Sequence, residues 1–533
     1  MQWAYCLYFA VVSLLNPKKE KEKTTMAKKI LAMLLAALML VSIVACGGGD
    51  KDDNNKGNND VVDNGETTED IVADFLETYN PELTAETRPP EQNLEYDFGG
   101  YEFKFLNSAP IYSMYIYLAP DATGDVLDEA CVLRNVMAQE KFNITITEET
   151  QPYQEIAAYA QTLIQSGEDV YDAMYIGCQE LTPLVSESMF VDLLEIPELN
   201  IDKIWWDQPL IVRNTVADRL FYATSDLSLM AFEGVWAMYF SEGMMDELGL
   251  EYPYQLVMDD EWTMEKLNEY TKEAANLNGD QSFTYDVNGA ATYGEVSMAG
   301  LERYRLYAFN TEYVARDATG RYQFTAHTDD KFKAAWETII GYFGAGDGRF
   351  VYGNSTDLAE DGYFQVFIDD RALFLSAELK GCTMLREWEG NFGLVPQPKY
   401  TADQESYEST VFSNVLSFCI PTTNTELSRT GIIVDYLTYE SYRSLLPRYY
   451  DIHVGLKALS RDESKQSLEI IRNTRGIEIA IPFKWTSDLS AALCSLAKKG
   501  SMEVASTIET YQEACIAAID KTYEEYPAHG KKG

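Results

Sequence analysis

The chain has 533 residues and a formal charge of −43, with 46% hydrophobic and 13% aromatic residues. Residues 1–45 hold six lysines and two glutamates, +4, which leaves −47 on the rest. Nucleic acid is excluded as a partner, because phosphate contacts need clustered Lys and Arg, and charge-driven docking on anionic lipid is excluded with it.

The first predicted element is a leader. Lys28 and Lys29 precede a run of 16 apolar or small residues, Ile30–Ala45, that ends at Cys46 and three glycines. A basic flank, a short apolar run and small terminal residues describe a secretion signal. The run is short for a membrane span, which takes about 20 apolar residues. Its end, Ile43-Val44-Ala45-Cys46, resembles a bacterial lipobox. That resemblance implies that Cys46 is acylated and becomes the mature N-terminus on the outer face of the cell membrane. Residues 1–25 precede Met26 and read as a mis-called upstream extension, and 26–45 as the signal peptide. Residues 46–97 open on Gly, Asn, Asp and Lys with almost nothing to bury, and read as a flexible tether.

From Tyr101 strand and helix patterns alternate. "YEFKFLN" (101–107), "NITITEE" (143–149) and "YDAMYIG" (171–177) read as strands. Between and after them, "DVLDEACVLRNVMAQEKF", "EIAAYAQTLIQSG" and "ELTPLVSESMFVDL" carry apolar residues at helical spacing. Short connections between alternating elements predict a parallel sheet with both faces covered. A second system begins after residue 230. It has strands at 235–241, 371–379, 391–396 and 415–421, a helix that Thr263 could cap, and a long amphipathic C-terminal helix. About 435 residues beyond the tether are too many for one core, so two lobes are expected.

Catalytic and metal motifs are absent. No H-E-x-x-H, P-loop or G-x-S-x-G occurs, and His327, His453 and His529 are the only histidines. The six body cysteines, Cys131, Cys178, Cys382, Cys419, Cys494 and Cys515, form no C-x-x-C pair and read as buried free thiols. "NLNGDQSFTYD" (276–286) places Asn276, Asn278 and Asp280 at alternate positions but lacks the Gly and Glu of a calcium loop. It reads as a polar turn. No metal and no cofactor are expected.

Several stretches are similar to those of extracellular solute-binding lipoproteins of bacterial ABC importers, in the carbohydrate-binding class related to maltose-binding proteins. They are "IWWDQ" (204–208), "LFYATSDLSLM" (220–230), "VWAMYFSEGMMDELGLE" (235–251), "WTMEKLNEYTKEA" (262–274), "ALFLSAEL" (372–379), "GLVPQPKY" (393–400) and "KALSRDESKQSLEIIRNTRG" (457–476). The resemblance implies an α/β, two-lobed periplasmic-binding-protein-like fold of type II, with discontinuous lobes joined by hinge crossings. Residues 98–228 plus 412–477 would form the first lobe, and 229–411 plus 478–533 the second. Crossings would fall near Ser225–Ala231, Glu408–Phe412 and Ile477–Phe483. The ligand, an oligosaccharide, would lie in the cleft of a monomer whose partners are ABC permease subunits.

A sugar needs flat aromatic platforms and short polar side chains. The candidates are Asp226 at the first crossing, Tyr112, Tyr115 and Tyr117 after the first strand, Trp236 at the start of a second-lobe strand and Glu378 after "LFLSA". Trp206, Trp388 and Asn414 complete the set. Two other readings remain open: an exported glycan-active hydrolase, and a peptide-binding or signalling receptor of the same fold.

Overall fold

The computed structural model describes Gln92 and residues 95–110, 114–354, 359–360, 362–450 and 461–526. The leader, Cys46, most of the tether and Tyr112 lie outside the described residues. Among the described residues no helix is long and apolar enough to cross a membrane.

Chain order gives β1 (Tyr101–Ser108), α1 (Val126–Phe142), β2 (Ile144–Gln151), α2 (Ile156–Ser166), β3 (Ala173–Gly177), α3 (Cys178–Ser186) and α4 (Gln208–Asn214). Then follow β4 (Trp236–Ser241), α5 (Met264–Ala274), β5 (Tyr293–Ser297), α6 (Leu301–Ala308), α7 (Asp330–Phe343), β6 (Phe350–Tyr352), β7 (Ala372–Glu378) and β8 (Phe392–Val395). The chain closes with β9 (Ser409–Thr410), β10 (Leu416–Cys419), α8 (Leu427–Glu440), α9 (Asp462–Asn473), β11 (Arg475–Gly476), α10 (Ser487–Lys499) and α11 (Val504–Glu525).

Local chemistry sets the ends. Asp125 accepts the Leu127 N–H at 2.8 Å and starts α1, whose exit Asn143 takes a left-handed φ of 52°. Gly167 ends α2 at φ 76°, where a Cβ would be strained. Thr263 caps α5 by accepting the Lys266 N–H at 3.4 Å, as its sequence position predicts.

Two sheets organise the body. The first has the order β10-β3-β1-β2 and the second β8-β4-β7-β5-β6. Strands β1, β2 and β3 are parallel, with β3 buried along its whole length. The parallel expectation for the first sheet fails at its β10 edge. Strand β10 runs antiparallel to β3, and β4 runs antiparallel to β7 and β8. The reason is chain path: β10 enters the first sheet from the second body, not through a helical crossover.

The fold is two-lobed α/β, and its crossing segments pair with one another. Val235 bridges Val411, and the Phe412 N–H donates to Gly234 O at 2.7 Å. Strands β9 and β11 pair in parallel beside them. Helix α9 lies in the stretch assigned to the first lobe, yet it packs on β8 of the second sheet. Arg461 pairs with Glu242 at 2.6 Å, and Ser464 shares a hydrogen bond with Tyr254, while Leu468 and Ile471 bury the apolar face. The six body cysteines are free thiols, five of them buried.

Candidate functional site

In open α/β sheets a ligand site forms beyond the carboxyl ends of the strands. In the first sheet those ends bring together the turns after β2 and β3 and the segment entering β10. Asn414 sits at their meeting point. Its Oδ1 accepts the Gln179 N–H at 2.8 Å, and its Nδ2 donates to Glu180 Oε2 at 2.6 Å and to the Tyr153 hydroxyl. Gln179 Nε2 also donates to Ser413 O at 3.0 Å. A Cβ at Gly177 would stand 2.5 Å from Glu180 Oε2 and 2.7 Å from Asn414 Oδ1, so this close approach requires glycine.

The second sheet supplies the facing edge. Trp236 opens β4 and pairs in register with Glu378, the last residue of β7. The Trp236 ring stacks on Tyr304 of α6, with centroids 4.3 Å apart and planes 21° from parallel. Its Nε1 is a buried donor with no acceptor among the described residues. The Tyr363 hydroxyl donates to Glu378 Oε2 at 3.4 Å. The two edges touch where the Tyr304 hydroxyl lies 3.2 Å from Ser413 Oγ.

A cavity of about 420 Å³ opens beside these edges, between the loop after β1 and the turn after β7. Tyr115, Tyr117, Asp128, Glu233 and Thr383 are among its walls. Tyr115 and Tyr117 meet edge to face at 5.5 Å. The Tyr115 hydroxyl donates to Asp128 Oδ1 at 2.9 Å, and its N–H donates to the Glu233 carboxylate. Burial pushes Glu233 up to about 8; the Tyr115 N–H and the Lys380 charge act the other way. Burial likewise raises Tyr115, and Cys131 and Asp128 add to it. Rings, hydroxyls, a carboxamide and carboxylates together suit a hydroxyl-bearing ligand with apolar faces.

Of the sequence candidates, Tyr115, Trp236, Glu378 and Asn414 lie on these edges. Trp206 does not. It is buried, donates from Nε1 to Leu199 O at 2.8 Å and packs on Phe418 at 5.7 Å. Trp388 is half-buried between Phe367 and Phe392, with centroids 5.2 and 6.4 Å away. Asp226 is buried in the crossing beside Arg475 and Asp207, and burial holds its carboxyl well above the usual range. Sequence reasoning missed Tyr153, Glu180, Glu233, Tyr304, Thr383 and Ser413. Tyr153 and Glu180 follow strands, so a systematic reading of strand-end turns finds them. Tyr304 sits on a helix face that reads as core.

The 276–286 turn is tied to the backbone that follows it. Asp280 Oδ2 accepts the Ala290 and Ala291 N–H groups, each at 2.8 Å. Among the described residues no group of three or more His, Cys, Asp or Glu side chains could hold a metal ion.

No protein-family model matches the chain, and no curated protein does. Solved structures do. A cyclic alpha-maltosyl-1,6-maltose binding protein from Arthrobacter globiformis has TM-score 0.54 and 10% identity, covering 79% of this chain and 100% of its own. A sugar transporter from Rhizobium etli, in an open conformation, has TM-score 0.53 and 13% identity, covering 79% and 99%. An ABC substrate-binding protein from Listeria monocytogenes, in complex with cycloalternan, has TM-score 0.50 and 10% identity, covering 81% and 100%. Several such neighbours are named as sugar-binding or sugar-transport proteins. The chain has the two-lobed α/β fold of the ABC solute-binding proteins.

Proposed function

We propose that this chain is the lipid-anchored, extracellular substrate-binding component of an ABC importer. It captures an oligosaccharide between its lobes and delivers it to permease subunits. Residues 98–228 with 412–477 make the first lobe in this reading and 229–411 with 478–533 the second, with α9 reaching across to pack on the second sheet. The observation that carries the reading is the meeting of two strand-end edges across paired crossing segments, one edge bearing the Trp236–Tyr304 stack and the other the Asn414 cluster. A sugar ring has apolar faces edged with hydroxyls. It fits an aromatic surface beside acceptors such as Glu180 and Glu378 and donors such as the Trp236 indole. Lobe closure would follow from the ligand's higher affinity for the closed arrangement. Acyl chains on Cys46 would hold the protein at the cell surface, each buried CH₂ adding about 0.8 kcal/mol.

A thermal-shift screen tests the reading. Neutral oligosaccharides of two to six units should raise the melting temperature in a saturable manner, since a ligand that binds only the native state stabilises it. A shift produced by peptides and by no glycan would sink it.

A further inference from the structure

A charged cluster beside the crossing segments lies outside the cleft described above. Arg213 projects from α4, on the first-lobe side. It forms a two-pronged pair with Glu312, which follows α6 on the second-lobe side, at 2.6 and 3.1 Å. Arg213 Nη1 also donates to Ile477 O at 3.3 Å, on the segment leaving β11. Its guanidinium lies 5.4 Å from the Tyr307 ring of α6. One cation therefore touches a helix of the first lobe, the last crossing segment and two parts of the second lobe.

Two further carboxyls face this cation. Glu478 is buried one residue beyond Ile477 and accepts the Tyr313 and Ala480 N–H groups at 3.3 and 3.1 Å. Glu408 is half-buried just before β9 and accepts Ser406 Oγ at 2.8 Å. Arg213, Tyr307, Glu408, Thr474 and Gly476 are among the residues lining a groove of about 580 Å³. None of the cleft residues lines it. Gly476 is required here, because a Cβ would stand 2.2 Å from the Tyr307 hydroxyl.

We propose that Arg213, Glu312, Glu408 and Glu478 form an electrostatic strut across the hinge, which holds the angle between the lobes and makes that angle depend on pH. The strut rests on the two-lobed fold and would regulate the proposed capture site, but it needs no ligand to act. Any change in lobe angle must move Arg213 relative to Glu312, because the pair joins the two lobes. With all three carboxyls ionised, one guanidinium faces three negative charges. Burial and the Glu312 charge push Glu478 up to about 8, while Arg213 and the two backbone N–H groups act against them. Burial also raises Glu408. The charged and titratable groups around Glu478 are Glu312, Arg213, Tyr307 and Tyr313. Below about pH 8 Glu478 holds its proton, and the Arg213–Glu312 pair stands in balance. Above it, ionised Glu478 repels Glu312, and the described lobe angle loses stability against arrangements that expose Glu478 to water.

Spin labels test this without a ligand. Labels at Thr162→Cys on α2 and Glu337→Cys on α7, both exposed, report the distance between lobes by pulsed electron resonance. The strut predicts a distribution that shifts and broadens between pH 7 and pH 9.5. E478Q should remove that pH dependence. E312Q, at a partly exposed partner, should broaden the distribution already at pH 7. A parent protein whose distribution is the same at both pH values overturns the proposal. So does an E478Q protein that shifts like the parent, or an E312Q protein that matches the parent at pH 7. Failure of the glycan screen leaves this result unaffected, so the two ideas fall separately.

Discussion

The Tyr304 hydroxyl lies 3.2 Å from Ser413 Oγ while the Tyr304 ring stacks on Trp236 at 4.3 Å, so one side chain ties the aromatic surface of the second lobe to the polar edge of the first. Tyr304→Phe keeps the stack and removes the bridge. Its stability should fall by about 0.5–1.5 kcal/mol, the net worth of one hydrogen bond. Affinity for a bound glycan should weaken several-fold, because the two sheet edges lose a contact between them. Tyr304→Ala removes both and should cost about 3–5 kcal/mol. Equal glycan affinity for Tyr304→Phe and the parent, in calorimetric titration, would remove the bridge from the account.

Asn414 gives a sharper test of the first-lobe edge. Its Nδ2 donates to Glu180 Oε2 at 2.6 Å. Asn414→Asp replaces that donor with a second carboxylate. The variant should lose about 1–3 kcal/mol in urea denaturation at pH 8, through an unmet acceptor and like-charge repulsion. The double variant with Glu180→Gln should recover much of the loss, since the Gln amide can donate where Asn414 did. No recovery would mean that the two side chains do not act on each other.

Much of this architecture was legible in the sequence, and the reasons are local. The alternation of Phe103 and Phe105 in β1, the buried run of β3 and the 4-3-4-4 spacing of Val504, Ile508, Tyr511, Cys515 and Ile519 each encode an element by period. Strand direction was not legible at the edges. Nothing in "LSFC" says that β10 arrives from the other lobe and runs antiparallel to β3. The site was half legible for the same reason. Asn414 and Trp236 stand next to crossings, where proximity to the cleft follows from chain path. Tyr304 lies inside α6, and its role depends on a partner about 109 residues away in sequence. Two adjacent tryptophans in an extended segment point to opposite sides, which suggests that one lies at a surface. In the structure Trp205 and Trp206 are both buried, Trp205 donating to Asp435 at 2.6 Å and Trp206 to Leu199 O.

Glu233 should set part of the pH profile of stability. Its folded value, about 8, stands above the ordinary carboxyl value, so the native state keeps a proton that the unfolded chain has lost. The stability it contributes is present below about pH 4.3 and is lost as pH rises through 8. Glu233→Gln should flatten the fall in urea midpoint between pH 5 and pH 8.5 and gain on the parent at the upper end. Parallel curves for variant and parent would show that Glu233 does not titrate in this window.

A buried network holds the second lobe. Arg305 Nη2 donates to Glu295 Oε1 at 2.7 Å, and neither side chain has any exposure. Tyr342 and Ser376 donate to the same carboxylate at 2.8 and 2.6 Å. Arg305→Met leaves Glu295 buried without its cation. The cost should be about 3–5 kcal/mol in chemical denaturation. A loss under about 1 kcal/mol would mean that the hydroxyl donors alone satisfy the carboxylate.

The anchor has its own check. Cys46→Ser removes the acylation site proposed from the lipobox-like sequence. The variant should move from the membrane fraction to the medium and bind ligand as the parent does. A variant retained at the membrane would show that another element holds it there.

Capture of an intact glycan between the lobes can be measured on the purified protein. Calorimetric titration with the oligosaccharide that gives the largest thermal shift tests it most directly, with chromatography of the ligand recovered afterwards. One saturable site per chain is expected, weakened in Tyr304→Phe and Asn414→Asp, with the ligand recovered unchanged. Recovery of cleaved glycan, or saturable binding that neither variant alters, would contradict it.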